Sequence, residues 1–155
     1  MACIAHPPPE VAAIVAVAPS LKSQPSFRPV NRSSAHFVDG RGNLDFHCFR
    51  HRIRVRLTIQ THRVRFARHV ALSFAYRAGA PKHPVRGQTR QFPGGVHRVG
   101  ARTILFTYRN ASDCGIPGGR PLCRRSAYGL YIADVAGRVR HIDPIIQNGG
   151  GSKTY

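Results

Sequence analysis

The chain has 155 residues, 42% of them apolar, enough for one sizeable hydrophobic core and too few for two independent domains to be the natural expectation. It carries 24 Lys and Arg against 6 Asp and Glu, a formal charge of +18; a fold with that surplus repels itself, and a polyanionic partner relieves the repulsion. The apolar content argues against a compositionally disordered chain, and no stretch approaches the roughly 20 apolar residues of a membrane-spanning helix.

Residues 1–34 read as an N-terminal arm, either flexible or docking. Pro7, Pro8 and Pro9 favour an extended left-handed conformation, and 10–18 suits two helical turns, which are marginal in water unless packed on the core or a partner. Residues 1–10 hold no Lys or Arg, so the basic start of a secretory signal is missing, although Ala16, Val17 and Ala18 imitate its cleavage site. The expectation is a cytoplasmic chain or a component of a nucleoprotein particle, with secretion left open. Residues 19–35 are rich in Ser, Pro and Asn and keep no period.

A β-rich domain is expected over 35–148. Asp39, Gly40, Arg41, Gly42 and Asn43 form a turn cluster between 36–38 and 44–49, the signature of a hairpin. The clearest strand is 52–60: Ile53, Val55, Leu57 and Ile59 alternate with Arg52, Arg54, Arg56 and Thr58, which places apolar side chains on one face and three arginines on the other. In 64–76 the same period recurs through Val64, Phe66, Val70, Leu72, Phe74 and Tyr76, with Arg68 in conflict; a bulge or a break near 67–69 removes the conflict.

Residues 77–100 make a long loop with three Pro and five Gly, shortened if 85–92 holds a strand. Ile104, Phe106 and Tyr108 mark a strand over 103–108, and 110–121 is irregular. At the end, 128–133 and 138–142 form a hairpin around the turn 134–137. Pro144 then forces Ile145 and Ile146 into a new edge strand or a short extension, and 149–155 is a flexible tail. Six or seven short strands with turn-rich links indicate a mostly β chain, a single small β-sandwich or partly open barrel.

Charge placement carries the functional expectation. Between Asp45 and Asp113 there is no acidic residue, and the interval holds 14 Lys or Arg. Arg52, Arg54 and Arg56 recur at about 6–7 Å along a strand, near the spacing of phosphates in a nucleic-acid chain. Arg63 and Arg65 extend that face if the next strand pairs antiparallel across 60–62, and Tyr131 is the best placed aromatic platform for a base. Of the basic residues 21 are arginine and 3 lysine; arginine presents a fixed fork of donors to phosphate and stacks on bases. A GC-rich coding sequence produces a similar composition. The expected function is non-enzymatic binding of nucleic acid, RNA rather than DNA, or of another polyanion.

The rival expectation is a β-sandwich that binds a protein or an acidic glycan, or serves as an assembly subunit, through the loops 77–100 and 110–125. Catalysis and metal binding are poorly provisioned. His47, Cys48, His51, His62 and His69 cluster without zinc-site spacing, Cys48 with His47 and Cys123 with His141 are pairs without a nucleophile motif, and no cofactor is implied. Cys3, Cys48, Cys114 and Cys123 leave three disulfide pairings open, Cys114 and Cys123 bracketing a Gly/Pro-rich loop.

Overall fold

The computed structural model describes residues 10–46, 52–109 and 125–148. All four cysteines, the pair His47 and His51, the irregular segment 110–121 and the tail 149–155 lie outside them. The architecture is mostly β, two open sheets facing each other across one core. Among the described residues the one helix, α1 (Arg32–Ala35), is far too short to cross a membrane.

The first sheet has the order β2 (Ser26–Pro29), β1 (Val11–Ala16), β4 (Arg52–Ile59), β9 (Thr103–Arg109), β8 (Val96–Arg98). The second runs β3 (Leu44–Phe46), β12 (Ile145–Asn148), β10 (Arg125–Ala133), β6 (Leu72–Ala75), β7 (His83–Pro84). The nine-residue β10 also pairs with β11 (Val139–Ile142) and β5 (Arg65–Phe66) towards its C-terminal end. Aromatic rings join the sheets: Tyr108 of the first sheet lies 5.9 Å from both Phe46 and Phe74 of the second.

Alternation decides the interior. In β4 Ile53, Val55, Leu57 and Ile59 are buried, and in β9 Ile104, Phe106 and Tyr108 are buried opposite them. The conflict at Arg68 is resolved by a break: β5 ends at Phe66, β6 begins at Leu72, and Arg68 between them is exposed. The turn 39–43 forms as expected. The Asp39 carboxylate accepts the Arg41 and Asn43 N–H groups at 2.9 Å, and Gly42 takes a left-handed φ of 85° that other residues rarely adopt. In the turn 134–137 Asp134 plays the same part, accepting the Ala136 and Arg138 N–H groups at 3.0 and 2.9 Å.

Four expectations are corrected. Residues 11–16 are strand, not helix: Val11, Ala13 and Val15 point into the core while Ala12, Ile14 and Ala16 face outward, and apolar residues on both parities do not separate a buried strand from a helix. β1 lies inside the first sheet, parallel to β4, and β2 flanks it, so the stretch taken as an arm supplies two of that sheet's five strands. No strand forms over 85–92; β7 and β8 flank that stretch, and Phe92 enters the core between Phe74 and Phe106. Finally, Ile145 and Ile146 begin a strand that is interior, with β10 on one side and β3 on the other.

Tyr128 ties the core to the 39–43 turn, its hydroxyl donating to the Gly42 carbonyl. Burial first, and then the charge of Asp39, push its phenol well above the ordinary range, so it remains a neutral donor. Tyr128→Phe leaves the buried carbonyl without that donor and is expected to cost about 1–3 kcal/mol, read as a lower urea midpoint at unchanged slope.

Candidate nucleic-acid interface

The outer face of the first sheet carries the arginines. Register across β4 and β9 sets Arg52 opposite Arg109, Arg54 opposite Thr107, Arg56 opposite Leu105 and Thr58 opposite Thr103. On the other side Ala12 and Ile14 of β1 stand opposite Arg56 and Thr58, and Arg28 of β2 opposite Ile14. Because the intervening residues fill the core, Arg28, Arg52, Arg54 and Arg109 point outward and are exposed. Like charges directly opposite each other destabilise a sheet, so the Arg52–Arg109 pair is a local cost that an anion would remove. Among the described residues no carboxylate pairs with any of these four. Arg56 differs: its Nε lies 2.8 Å from Glu10 Oε1, which neutralises the middle of the face.

At the far end of this face, about 20 Å along β4 from Arg52, lies a groove of about 490 Å³ lined by Arg28, Arg102, Thr58, Thr103 and Gln60. Arginine forks, hydroxyls and an amide form a donor-rich lining suited to phosphate and ribose oxygens. Other arginines have structural work. Arg98 caps the Ala67 and Arg68 carbonyls across the sandwich, Arg140 caps those of Leu21 and Ser23, and Arg138 bonds Asp134 at 2.7 Å. Some of the positive charge is thus engaged in chain-closing contacts, and the rest is exposed, on the outer face of the first sheet and elsewhere, as at Arg41, Arg63, Arg68 and Arg86.

Arg63, Arg65 and Tyr131 do not join that face. The expected hairpin between β4 and the next strand is absent because β1 and β9 already occupy both edges of β4. Arg63, exposed and left-handed at φ 67°, lies where the chain leaves for the other sheet, and β5 pairs there with β10. Arg65 and Tyr131 instead share a concavity of about 370 Å³ with Arg68 and His69. Tyr131 is half-buried and stacked on His141 at 4.4 Å, which covers one ring face. Arg65 keeps its Nε buried with no hydrogen-bond partner among the described residues.

Sequence reasoning missed a polar network on the second sheet. Ser73 Oγ lies 2.7 Å from His141 Nε2, His141 Nδ1 lies 3.1 Å from Asp143 Oδ1, and Lys82 Nζ lies 2.8 Å from the same oxygen. A carboxylate only accepts, so Nδ1 carries the hydrogen and Nε2 accepts the Ser73 hydroxyl proton. The order matches a nucleophile, base and orienting carboxylate. Ser73, however, is 0% exposed, and Asp143 is shared with an ammonium, so the arrangement fastens β11 and the 77–82 loop over β6. Its one sequence signal is Gly129 within β10: a glycine inside a strand marks a close approach, here the His141 ring crossing over it to Ser73.

Burial lowers the His141 pKa, Lys82 adds to that, and Asp143 opposes both. The unfolded chain then binds the proton more readily than the folded one, so the contribution of His141 is whole above the ordinary histidine range and shrinks as pH falls through it. Melting temperature is expected to drop between pH 7.5 and pH 5 more steeply in the native chain than in His141→Asn, with the difference between the two curves isolating this group.

Among the described residues no three His, Cys, Asp or Glu side chains come together in a way that would hold a metal ion. No protein-family model, curated protein or solved structure matches the chain.

Proposed function

We propose that the protein binds single-stranded nucleic acid, RNA rather than DNA, along the outer face of the five-stranded sheet, as a binding protein and not a catalyst. The observation that carries this reading is the outward set Arg28, Arg52, Arg54 and Arg109, exposed and without carboxylate partners among the described residues, with Arg52 and Arg109 opposed across the ladder. A sheet face about 20 Å long along β4 suits an extended strand. The four-residue α1 offers no reading head for a duplex major groove. Phosphate contacts of this kind give affinity and salt dependence, with little choice of sequence.

The test is the affinity of a labelled single-stranded RNA of mixed sequence between 50 and 300 mM salt, with DNA of the same sequence and an acidic glycan in parallel. Four phosphate contacts predict a log–log slope of about −3 for a single strand. No measurable association at the lowest salt would remove this reading, and equal affinity for the glycan would reduce it to general polyanion binding.

A further inference from the structure

The outer face of the second sheet holds the concavity of about 370 Å³ in which Arg65, Arg68, His69 and Tyr131 meet. Cross-strand register explains its shape. Tyr128, Leu130 and Ile132 of β10 fill the core, so Tyr131 and Ala133 take the outward parity. Ala133 stands between Arg65 of β5 on one side and Val139 of β11 on the other, and a single methyl group between longer neighbours leaves a depression with an apolar floor.

The break before β6 builds one wall. Tyr131 accepts the Ala67 N–H at 2.8 Å through its carbonyl and donates its own N–H to the Ala71 carbonyl at 2.9 Å, so 68–70 arch away from the sheet between these anchors. Arg68 and His69 stand exposed on the arch, and Val70 is half-buried. Arg98 bonds the Ala67 and Arg68 carbonyls, which holds the arch in place. Extra residues of this kind re-aim side chains and recur beside binding sites.

Arg65 is the unusual group. It is half-buried, its Nε is buried without a hydrogen-bond partner, and its two terminal nitrogens bond nothing among the described residues and are left open at the cavity it lines. Partly desolvating a cation without a counter-charge costs free energy. Asp134, the carboxylate next to Ala133, is engaged with Arg138 and with the N–H groups of its own turn, and no acidic side chain lines the concavity among the described residues.

We infer that the concavity binds a small organic acid, its single carboxylate on the terminal nitrogens of Arg65 and its apolar body over Ala133, between Val70, Tyr131 and Val139. The terminal pair of a guanidinium matches the two oxygens of one carboxylate. One half-buried cation balances one negative charge, while Arg68 and His69 are exposed at the rim. Val139, 58% exposed, is apolar surface that the body of the ligand covers. The site lies on the sheet opposite the arginine face and does not depend on the nucleic-acid reading.

Phenylacetate is the probe, titrated into the isotope-labelled full chain at about 150 mM salt and followed through the backbone amide shifts. Saturable shifts centred on 65–70 and 131–139 are expected. Phenylacetamide and acetate should each bind about tenfold or more weakly, the first for want of charge and the second for want of an apolar body. Arg65→Met keeps an apolar stem without the charge; it should weaken phenylacetate about tenfold or more and leave the melting temperature no lower. Ala133→Leu fills the floor at unchanged charge and should abolish binding; if that variant does not fold, Arg65→Met decides alone.

Acetate bound as tightly as phenylacetate, or phenyl phosphate bound more tightly, is the pattern of general attraction to a chain of charge +18 and would overturn the inference. So would the absence of shifts at those residues, or phenylacetate affinity unchanged in Arg65→Met. Arg52→Glu with Arg54→Glu should leave phenylacetate binding intact; its loss there would place the acid on the arginine face and not in the concavity.

Discussion

Arg52→Glu combined with Arg54→Glu is expected to weaken single-stranded RNA binding by about 10²-fold near 100 mM salt and to flatten the salt dependence by about two phosphate contacts. Each reversal removes an attraction of about 1 kcal/mol at contact distance in water and replaces it with a repulsion of similar size; two reversals together exceed the 2.7 kcal/mol that corresponds to a hundredfold. The matched control is Arg63→Glu combined with Arg68→Glu. Both residues are exposed, and they lie on the connection to and within the other sheet's side of the molecule. The two double variants change net charge identically, so a difference between them measures position and not total charge.

That control also addresses base composition as the origin of the charge. If arginine were scattered without purpose, affinity would follow net charge and both variants would lose it equally. Grouping gives a reason to expect otherwise, because Arg52, Arg54 and Arg109 stand together on one sheet face, Arg52 opposite Arg109, whereas Arg63 precedes β5 and Arg68 lies between β5 and β6. Fluorescence anisotropy with one oligonucleotide and three proteins decides the matter; equal losses would sink the interface.

Local pattern made some of this legible in the sequence. The faces of β4 follow from a period of two, the 39–43 and 134–137 turns from Asx chemistry and glycine, and the break before β6 from the clash of Arg68 with an apolar parity. Pairing was not legible, because it is settled by residues far away in sequence. β4 takes β1 and β9 as neighbours, and with both edges filled Arg63 and Arg65 must go elsewhere. β1 escaped notice as a strand because a run that is apolar on both parities has no period to read. Gln91 shows the same limit: as a polar residue in a glycine-rich loop it looks solvated, and only the neighbouring Phe92, anchored in the core, carries it inside.

Gly129→Ala is expected to give the largest loss of stability of any single methyl group added to the described residues of β10. A Cβ there would lie 2.0 Å from His141 Nε2 and 2.4 Å from Ser73 Oγ, inside the radius of both atoms. The ring must leave its place over the strand, giving up the bond to Ser73 and the stack on Tyr131, and the Ser73 hydroxyl is left buried without its acceptor. Overpacking and one orphaned buried hydroxyl together cost about 2–4 kcal/mol. For a chain of this size that lowers the melting temperature by roughly 5–15 °C. The mechanism is tested by context: in a Ser73→Ala, His141→Ala background the obstruction is gone, and the same Gly129→Ala change should cost less than about 1 kcal/mol, since a strand interior tolerates alanine better than glycine. An equal cost in both backgrounds would place the strain in the β10 backbone and not in the crossing of His141 to Ser73.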